Sequence, residues 1–393
     1  MADARAKVLF ISSQPFFQWR GSPIRVGFDV QALAESGYAV DLLTLGIGEP
    51  REIPGVRVLR VANPFRRRNI AIGPSLSKLF FDVLLLFRGL GLAIRNRYAA
   101  VHGVEDAGLV ALAIARLTGA RFVFEKHSDP ASYRKKALRN MVMAAYAVVE
   151  RFMVRRADAV IGTGPGLVAQ ARKLGARGAV HHIFDIPSSL ARAAPEQVAA
   201  ARQKFLRAPD EILVLYVGSF AVYQGMDLMF DAMPAVFRGS ARARWIVIGG
   251  APLEIEQRKA WLANWNIEER VSFPGKIHPD ELAAYLAAAD ILLSPRISGV
   301  NTPLKLLDYC KAGRAIVATD NSANRQILNE ECALFAPPQP EPFAGAILRL
   351  LEDGALRDRL GRGALRLFEE EYNYDRFKER LAACYAGLWG GAV

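Results

Sequence analysis

Short runs of aliphatic and β-branched residues recur along the whole chain, each separated from the next by a stretch with helical spacing. That alternation admits few folds, because strands joined through helices run parallel and form a sheet covered on both faces. In the first half the strands are expected at Val8–Ser12, Ala39–Thr44, Val56–Val61, Ala99–Gly103, Arg121–Lys126 and Ala159–Gly162, with helices over Val26–Ser36, Ala107–Leu117 and Ala137–Arg156. After a helix or linker between Arg192 and Pro209, strands return at Ile212–Val217, Trp245–Gly249, Val271–Phe273, Ile291–Ser294, Ala315–Ala318 and Ala333–Ala336. From Glu341 to Leu388 the spacing is helical only. The expected class is therefore α/β, with two doubly wound, Rossmann-like domains in tandem, 1–190 and 191–370, and a terminal helix over 371–393 crossing back to the first domain.

A chain of 393 residues is long enough for two such cores, and 52% hydrophobic with 23% charged residues excludes wholesale disorder. The net charge of +12 is unevenly placed. Residues 1–200 hold 28 Lys and Arg against 15 Asp and Glu, whereas residues 201–393 hold 23 against 24. Residues 51–100 alone carry ten basic and two acidic side chains, including Arg66, Arg67 and Arg68, so the first domain presents a positive field suited to phosphate, anionic lipid or nucleic acid. No RNP, KH or zinc-finger pattern accompanies it, and Phe65 is the one aromatic beside the basic run, which argues against a nucleic-acid partner.

Cys310, Cys332 and Cys384 show no C-x-x-C spacing, which excludes a disulfide framework and a cysteine zinc site and fits a reducing compartment. Val8-Leu9-Phe10-Ile11 is too short for a signal-peptide core, so a cytoplasmic location is expected. The apolar stretch Leu76–Ile94 is broken by Lys78, Asp82 and Arg88, and reads as an amphipathic helix that either packs on the core or lies on a membrane surface, not as a span.

Ligands of open α/β sheets sit beyond the carboxyl ends of the strands, so the segments after each strand carry the functional argument. After the first strand, Gly21 and Ser22 lead into a helix whose amides suit an anion, with Arg25 adding charge; an ordinary turn and cap is the alternative. His102 and His127 end neighbouring strands, with Glu105 and Asp129 close in sequence, a set suited to holding a sugar hydroxyl or moving a proton. His181 and His182 read as strand or surface residues, and Gly162-Thr163-Gly164-Pro165-Gly166 as a strand-to-helix turn.

In the second half, Gly218, Ser219, Phe220, Gln224 and Gly225 form a strand, turn and helix start that presents amides to a diphosphate. Arg296, Asn301, Thr302, Pro303 and Leu304 lead from another strand into a helix opened by Lys305, with Asp308 on the same face. Lys305 is placed to neutralise a leaving group, Asp308 to accept from ribose hydroxyls.

Asn301-Thr302-Pro303-Leu304-Lys305-Leu306-Leu307-Asp308-Tyr309, followed by Gly313 and Val317-Ala318, is similar to the P-L-K-x-x-E-Y form of the E-x7-E motif of glycosyltransferase family 4. Gly218–Gly225, Val271–Ile277 and Gly21–Arg25 extend the resemblance over nearly the whole chain. It implies a GT-B fold, with a nucleotide-diphosphate sugar in the C-terminal domain, an acceptor glycan or lipid-linked glycan in the N-terminal domain, and transfer with retention in the cleft between them. No resident cofactor or metal is implied.

On that likeness Gly250, Lys276 and Ile277 join the donor contacts, Asp308 meets the ribose, and Ser219, Gly225 and Lys305 surround the diphosphate. His127 matches the histidine near the reacting sugar, which makes His127 and Lys305 the catalytic candidates; Gly21, Ser22, Arg25, His102 and Glu105 are assigned to the acceptor. The chain departs from the pattern in three places. Val300 stands where the first glutamate is expected, Asp308 replaces the second, and Ser219 and Gln224 replace an Arg and a Lys, leaving Arg296 and Lys305 to supply the positive charge. The basic first domain makes an anionic membrane surface the expected partner and the inner membrane face the expected location. These departures keep a non-catalytic GT-B binding protein open as an alternative, with a sugar-nucleotide epimerase behind it.

Overall fold

Val8, Leu9, Phe10 and Ile11 are all fully buried, as a central parallel strand covered by helices on both sides requires. The computed structural model describes residues 6–19, 21–70, 76–128, 137–299 and 302–390. The chain divides into two units, Met1–Asp185 with Tyr374–Val393, and Ile186–Asn373.

Among the described residues the first unit holds a seven-stranded parallel sheet built from β1 (Lys7–Ser12), β2 (Ala39–Thr44), β3 (Val56–Arg60), β4 (Ala100–Val104), β5 (Arg121–Lys126), β6 (Ala159–Gly162) and β7 (Ala179–His182). Its order is β3-β2-β1-β4-β5-β6-β7, so the strand order reverses between β1 and β4, and the ends of those strands frame the crevice where such sheets take ligands. Its helices are α1 (Gly21–Glu35), α2 (Leu76–Asn96), α3 (Ala107–Thr118), α4 (Ala137–Arg156) and α5 (Pro165–Leu174). Helix α1 starts five residues before the expected Val26, because Gly21, Ser22 and Pro23 form its first turn and not a loop; proline tolerates a first turn, where amide hydrogens have no partner in the helix.

Helix α2 has two apolar faces. Phe81, Leu85, Gly89 and Ala93, spaced by four, are buried against the first core, while Leu79, Phe80, Val83, Phe87 and Ile94 are exposed. The buried face bears out the core-packing reading of this segment, and the opposite face leaves apolar side chains exposed. Among the described residues no helix is long and apolar enough to cross a membrane.

The second unit holds β8 (Ile212–Val217), β9 (Ala243–Ile248), β10 (Val271–Gly275), β11 (Ile291–Ser294), β12 (Ala315–Thr319) and β13 (Ala333–Ala336) in the order β10-β9-β8-β11-β12-β13, again all parallel. Here the reversal falls between β8 and β11, whose following loops are the two Gly-containing donor candidates. Helices α6 (Pro195–Phe205), α7 (Met226–Gly239), α8 (Pro252–Ala263), α9 (Pro279–Ala288), α10 (Lys305–Ala312), α11 (Pro340–Glu352) and α12 (Gly354–Glu371) complete it. Helix α13 (Tyr374–Gly387) belongs to the first unit, where it packs on α1 and buries Phe377, Leu381, Cys384 and Tyr385.

Candidate functional site

In the second unit the loops after β8 and β11 touch. The Ile297 amide donates to the Tyr223 carbonyl at 3.0 Å. Gly225 has φ +73°, and a Cβ there would overlap the Pro295 carbonyl, so only glycine lets the two loops close up. Gly250, at φ +76°, accepts the ring of Phe220 against its Cα face. Tyr216 donates to the Ser219 carbonyl at 2.9 Å, and Tyr309 donates to the Leu293 carbonyl while accepting from the Val217 amide, both at 3.1 Å. These bonds fix the backbone at the mouth of β8 and β11.

Two cations lie in this frame. Lys305, the first residue of α10, donates to Gln224 Oε1 at 3.1 Å and sits 4.3 Å from the centre of the Tyr216 ring. Arg296 is buried, its Nε bonded to the Ser298 carbonyl at 2.8 Å and its guanidinium 5.4 Å from the centre of the Tyr223 ring. Among the described residues neither forms an ion pair with a carboxylate. Burial, reinforced by the charge of Arg296, brings Lys305 down to about 7. Burial also lowers Arg296. Two cations held close together without a counter-ion form a site that favours an anion.

Asp308, on the first turn of α10, accepts at Oδ1 from both the amide (2.8 Å) and the hydroxyl (3.0 Å) of Ser188. Burial pushes its carboxyl up to about 6 against those bonds and Lys311. Thr302 donates to Gln326 at 3.1 Å, Pro303 is buried and Leu304 half-buried. Lys276 is exposed and Ile277 half-buried directly after β10, and Ser219 is exposed. Val300, Asn301 and Asp129 lie outside the described residues.

In the first unit the ends of β4 and β5 bring together a charged cluster that sequence spacing does not reveal. Glu125 is fully buried. Its Oε1 accepts from Arg25 Nε (2.6 Å) and His127 Nε2 (3.0 Å), and its Oε2 from His102 Nε2 (2.9 Å). Burial alone would raise this carboxyl, but Arg25, His127 and these hydrogen bonds hold it well below the usual range. His127 shows the converse balance: burial opposes its charge, and Glu125 outweighs that and raises it. Glu105, at φ +51°, accepts from the His127 amide and from the Ser128 hydroxyl.

Two acceptor assignments are corrected by this cluster. Arg25 is 4% exposed, and besides Glu125 its Nη1 donates to the carbonyls of Ile183 (3.0 Å) and Phe184 (2.8 Å) and to Asp185 (3.2 Å), so its charge is spent inside the unit. His102 is fully buried with both ring nitrogens occupied, one by Glu125 and one by Tyr385. Both side chains are buried and turned into the unit, with Nη2 of Arg25 left without a hydrogen-bond partner among the described residues. Gly21 and Ser22 remain half-exposed at the start of α1, and Glu105 is half-exposed but engaged. His127 retains a tenth of its side chain exposed.

Sequence reasoning passed over Glu125, which the run Arg-Phe-Val-Phe-Glu-Lys marks only as a carboxylate inside an otherwise apolar strand, and Tyr385, for which the sequence carries no signal. Among the described residues no group of three or more His, Cys, Asp or Glu side chains is arranged to hold a metal ion.

Comparison with known proteins agrees with this division. Residues 21–186 match the glycosyl transferase 4-like domain model and residues 211–353 the glycosyl transferases group 1 model. The alpha-D-kanosaminyltransferase of Streptomyces kanamyceticus is 24% identical over 381 residues, 91% of this chain and 98% of that protein. The sucrose-phosphate synthase of Thermosynechococcus elongatus superposes with a TM-score of 0.74 at 21% identity, covering 99% of this chain and all of that one. HepE of Anabaena, solved in complex with UDP and glucose, superposes with a TM-score of 0.72 at 14% identity, covering 97% of this chain and all of that one.

Proposed function

We propose, from the premise that this chain belongs to the glycosyltransferases of GT-B fold, that it transfers a sugar with retention from a nucleotide-diphosphate sugar to an acceptor carried at an anionic membrane surface. The observation that carries the donor half is the pair Arg296 and Lys305, two close cations without a carboxylate partner among the described residues, at the reversal point of the second sheet. A diphosphate supplies the missing negative charge. As the bond from sugar to phosphate lengthens, charge grows on the departing oxygen, and a cation already in place stabilises it without reorganisation.

In this reading the amides of Ser219 to Tyr223 hold the phosphate oxygens, those of Gln224 and Gly225 being taken by the Ala221 and Val222 carbonyls, and the free Oδ2 of Asp308 takes a ribose hydroxyl while Oδ1 stays with Ser188. The backbone at Lys276 and Ile277 meets the base. His127 holds a hydroxyl of the sugar, and the departing phosphate takes the proton of the attacking hydroxyl on the face it leaves, which retains configuration.

The acceptor half is supported by the outer face of α2. Leu79, Phe80, Val83, Phe87 and Ile94 form an exposed apolar stripe, and Phe65 meets Phe80 edge to face at 5.2 Å. That contact sets the exposed Arg66, Arg67 and Arg68 beside the stripe. Apolar side chains flanked by arginines fit the headgroup layer of an anionic bilayer.

The deciding experiment is a thermal-shift and hydrolysis screen against UDP-, GDP- and dTDP-sugars, with and without anionic vesicles. A selective shift with slow release of the nucleotide diphosphate is expected; the absence of any shift would overturn the donor assignment.

A further inference from the structure

Four elements meet around one buried carboxylate. Glu125 on β5 accepts from His102 on β4, Arg25 on α1 and His127 just past β5, and Tyr385 on α13 closes the chain at His102 Nδ1, 2.8 Å away. The hydrogen positions follow from chemistry. Glu125 is an acceptor only, so His102 and His127 each turn an Nε2–H toward it. Burial keeps His102 neutral, so its Nδ1 is a lone pair and the Tyr385 hydroxyl must donate to it. The His102 ring is further clamped by Phe10, stacked at 4.1 Å, and by the ring of Tyr385 at 6.1 Å.

We propose that Tyr385 and His102 are positioning residues that act through Glu125 to fix the ring and the proton of His127. Glu125 fixes the Nε2–H tautomer of His102, and the Tyr385 hydroxyl, donating to Nδ1, holds the ring in that orientation. That tautomer gives Glu125 Oε2 a donor, and Oε1 is left to Arg25 and His127. With its Nε2 committed, His127 offers Nδ1 to a sugar hydroxyl, the point at which this inference rests on the proposed role of His127 in transfer. The other charged groups facing His127 are Glu105 after β4 and Arg25, with His102 itself neutral. Asp29 on α1 lies 3.6 Å from Arg25 Nε, and burial together with the charge of Glu125 raises its carboxyl well above the usual range. Through Tyr385 the helix that ends the chain becomes part of the histidine's setting, which explains why a tyrosine hydroxyl is buried in its otherwise apolar face.

The test is an imidazole NMR titration of the free protein, which needs no substrate, joined to the pH profile of UDP-glucose hydrolysis. In the wild type His127 titrates above the usual 6.5. A carboxylate that loses a donor holds its remaining protons more tightly, so His102→Leu is expected to raise the His127 pKa by about one unit and Tyr385→Phe by about half a unit. His102→Gln keeps an N–H for Glu125 and is expected to restore the wild-type value to within about 0.2 units. The acid limb of kcat moves with the titration while KM for UDP-glucose stays in place. If Tyr385→Phe lowers the melting temperature yet leaves the His127 titration and the acid limb unmoved, Tyr385 is structural only and the proposal is overturned. If His127→Ala hydrolyses UDP-glucose at the wild-type rate, the catalytic reading of His127 falls, and the titration in Tyr385→Phe still decides the coupling on its own.

Discussion

The ammonium of Lys305 is held by a neutral partner, the side-chain oxygen of Gln224 at 3.1 Å, and not by a carboxylate. Burial and the nearby Arg296 leave it titrating at about 7. A bound diphosphate reverses that balance, because its charge favours the protonated amine. UDP binding is therefore expected to take up about half a proton at pH 7, rising to about 0.9 at pH 8, and affinity falls as pH rises above about 7, by at most tenfold per unit. Calorimetry in two buffers of different ionisation enthalpy measures the uptake directly. Lys305→Arg, charged throughout, binds with no uptake at that position; equal uptake in both proteins removes Lys305 from the phosphate site.

Gln224 is the position where the family motif carries a lysine. Gln224→Lys would add a third cation to a pair that already lacks a counter-ion, so the free protein loses stability through like-charge repulsion. With UDP bound the same charge gains a partner, and a charge-assisted bond of about 1.5–3 kcal/mol predicts at least a tenfold gain in affinity. Opposite signs in melting temperature and in UDP affinity are the expected signature. A variant that binds no more tightly than the wild type places the phosphates elsewhere.

The strands were legible because a parallel sheet buried on both faces demands unbroken apolar runs, and Val8–Ile11, Leu213–Tyr216 and Ile316–Ala318 have no other use. Strand β7 was not, since Ala-Val-His-His at the sheet edge is half-buried and polar at its end. The start of α1 was missed because Gly-Ser-Pro is also turn chemistry. Backbone features of the donor loops were readable from their glycines. Arg25 and His102 were misread for a different reason: they resemble free functional groups until their partners are known, and Glu125 and Asp185 stand 100 and 160 residues from Arg25, Tyr385 283 residues from His102. Local sequence cannot show that a charge is already spent.

Gly225 joins the two donor loops, and its replacement tests whether their closeness matters. An alanine there meets the Pro295 carbonyl and must also hold φ +73°, a conformation that costs a residue with a Cβ roughly 1–2 kcal/mol before any clash. Gly225→Ala is expected to lower the melting temperature by several degrees and to weaken UDP binding at least tenfold, as the loops part and Lys305 loses Gln224. Alanine at Gly91, inside α2 where an added Cβ meets nothing, is the control: as a helix-interior replacement it is expected to raise the melting temperature slightly and to leave UDP binding unchanged. Wild-type UDP binding in Gly225→Ala would show that the amides of this loop do not hold the nucleotide.

The membrane reading separates into a charge and an apolar contribution. Phe87 is 70% exposed on the outer face of α2, so Phe87→Asp removes apolar surface from the stripe without touching the core and should leave the melting temperature within a degree. It should abolish most binding to vesicles of anionic lipid at physiological salt, where the apolar contribution is unscreened. Replacing Arg66, Arg67 and Arg68 together by Gln removes the attraction of about 1 kcal/mol per basic residue, which amounts to roughly a hundredfold weaker partitioning into anionic vesicles and no change toward neutral ones. If the two variants float with anionic vesicles as the wild type does, the stripe and the arginines face something other than a bilayer. If instead the triple variant alone loses binding, attraction is electrostatic and α2 does not enter the headgroup layer.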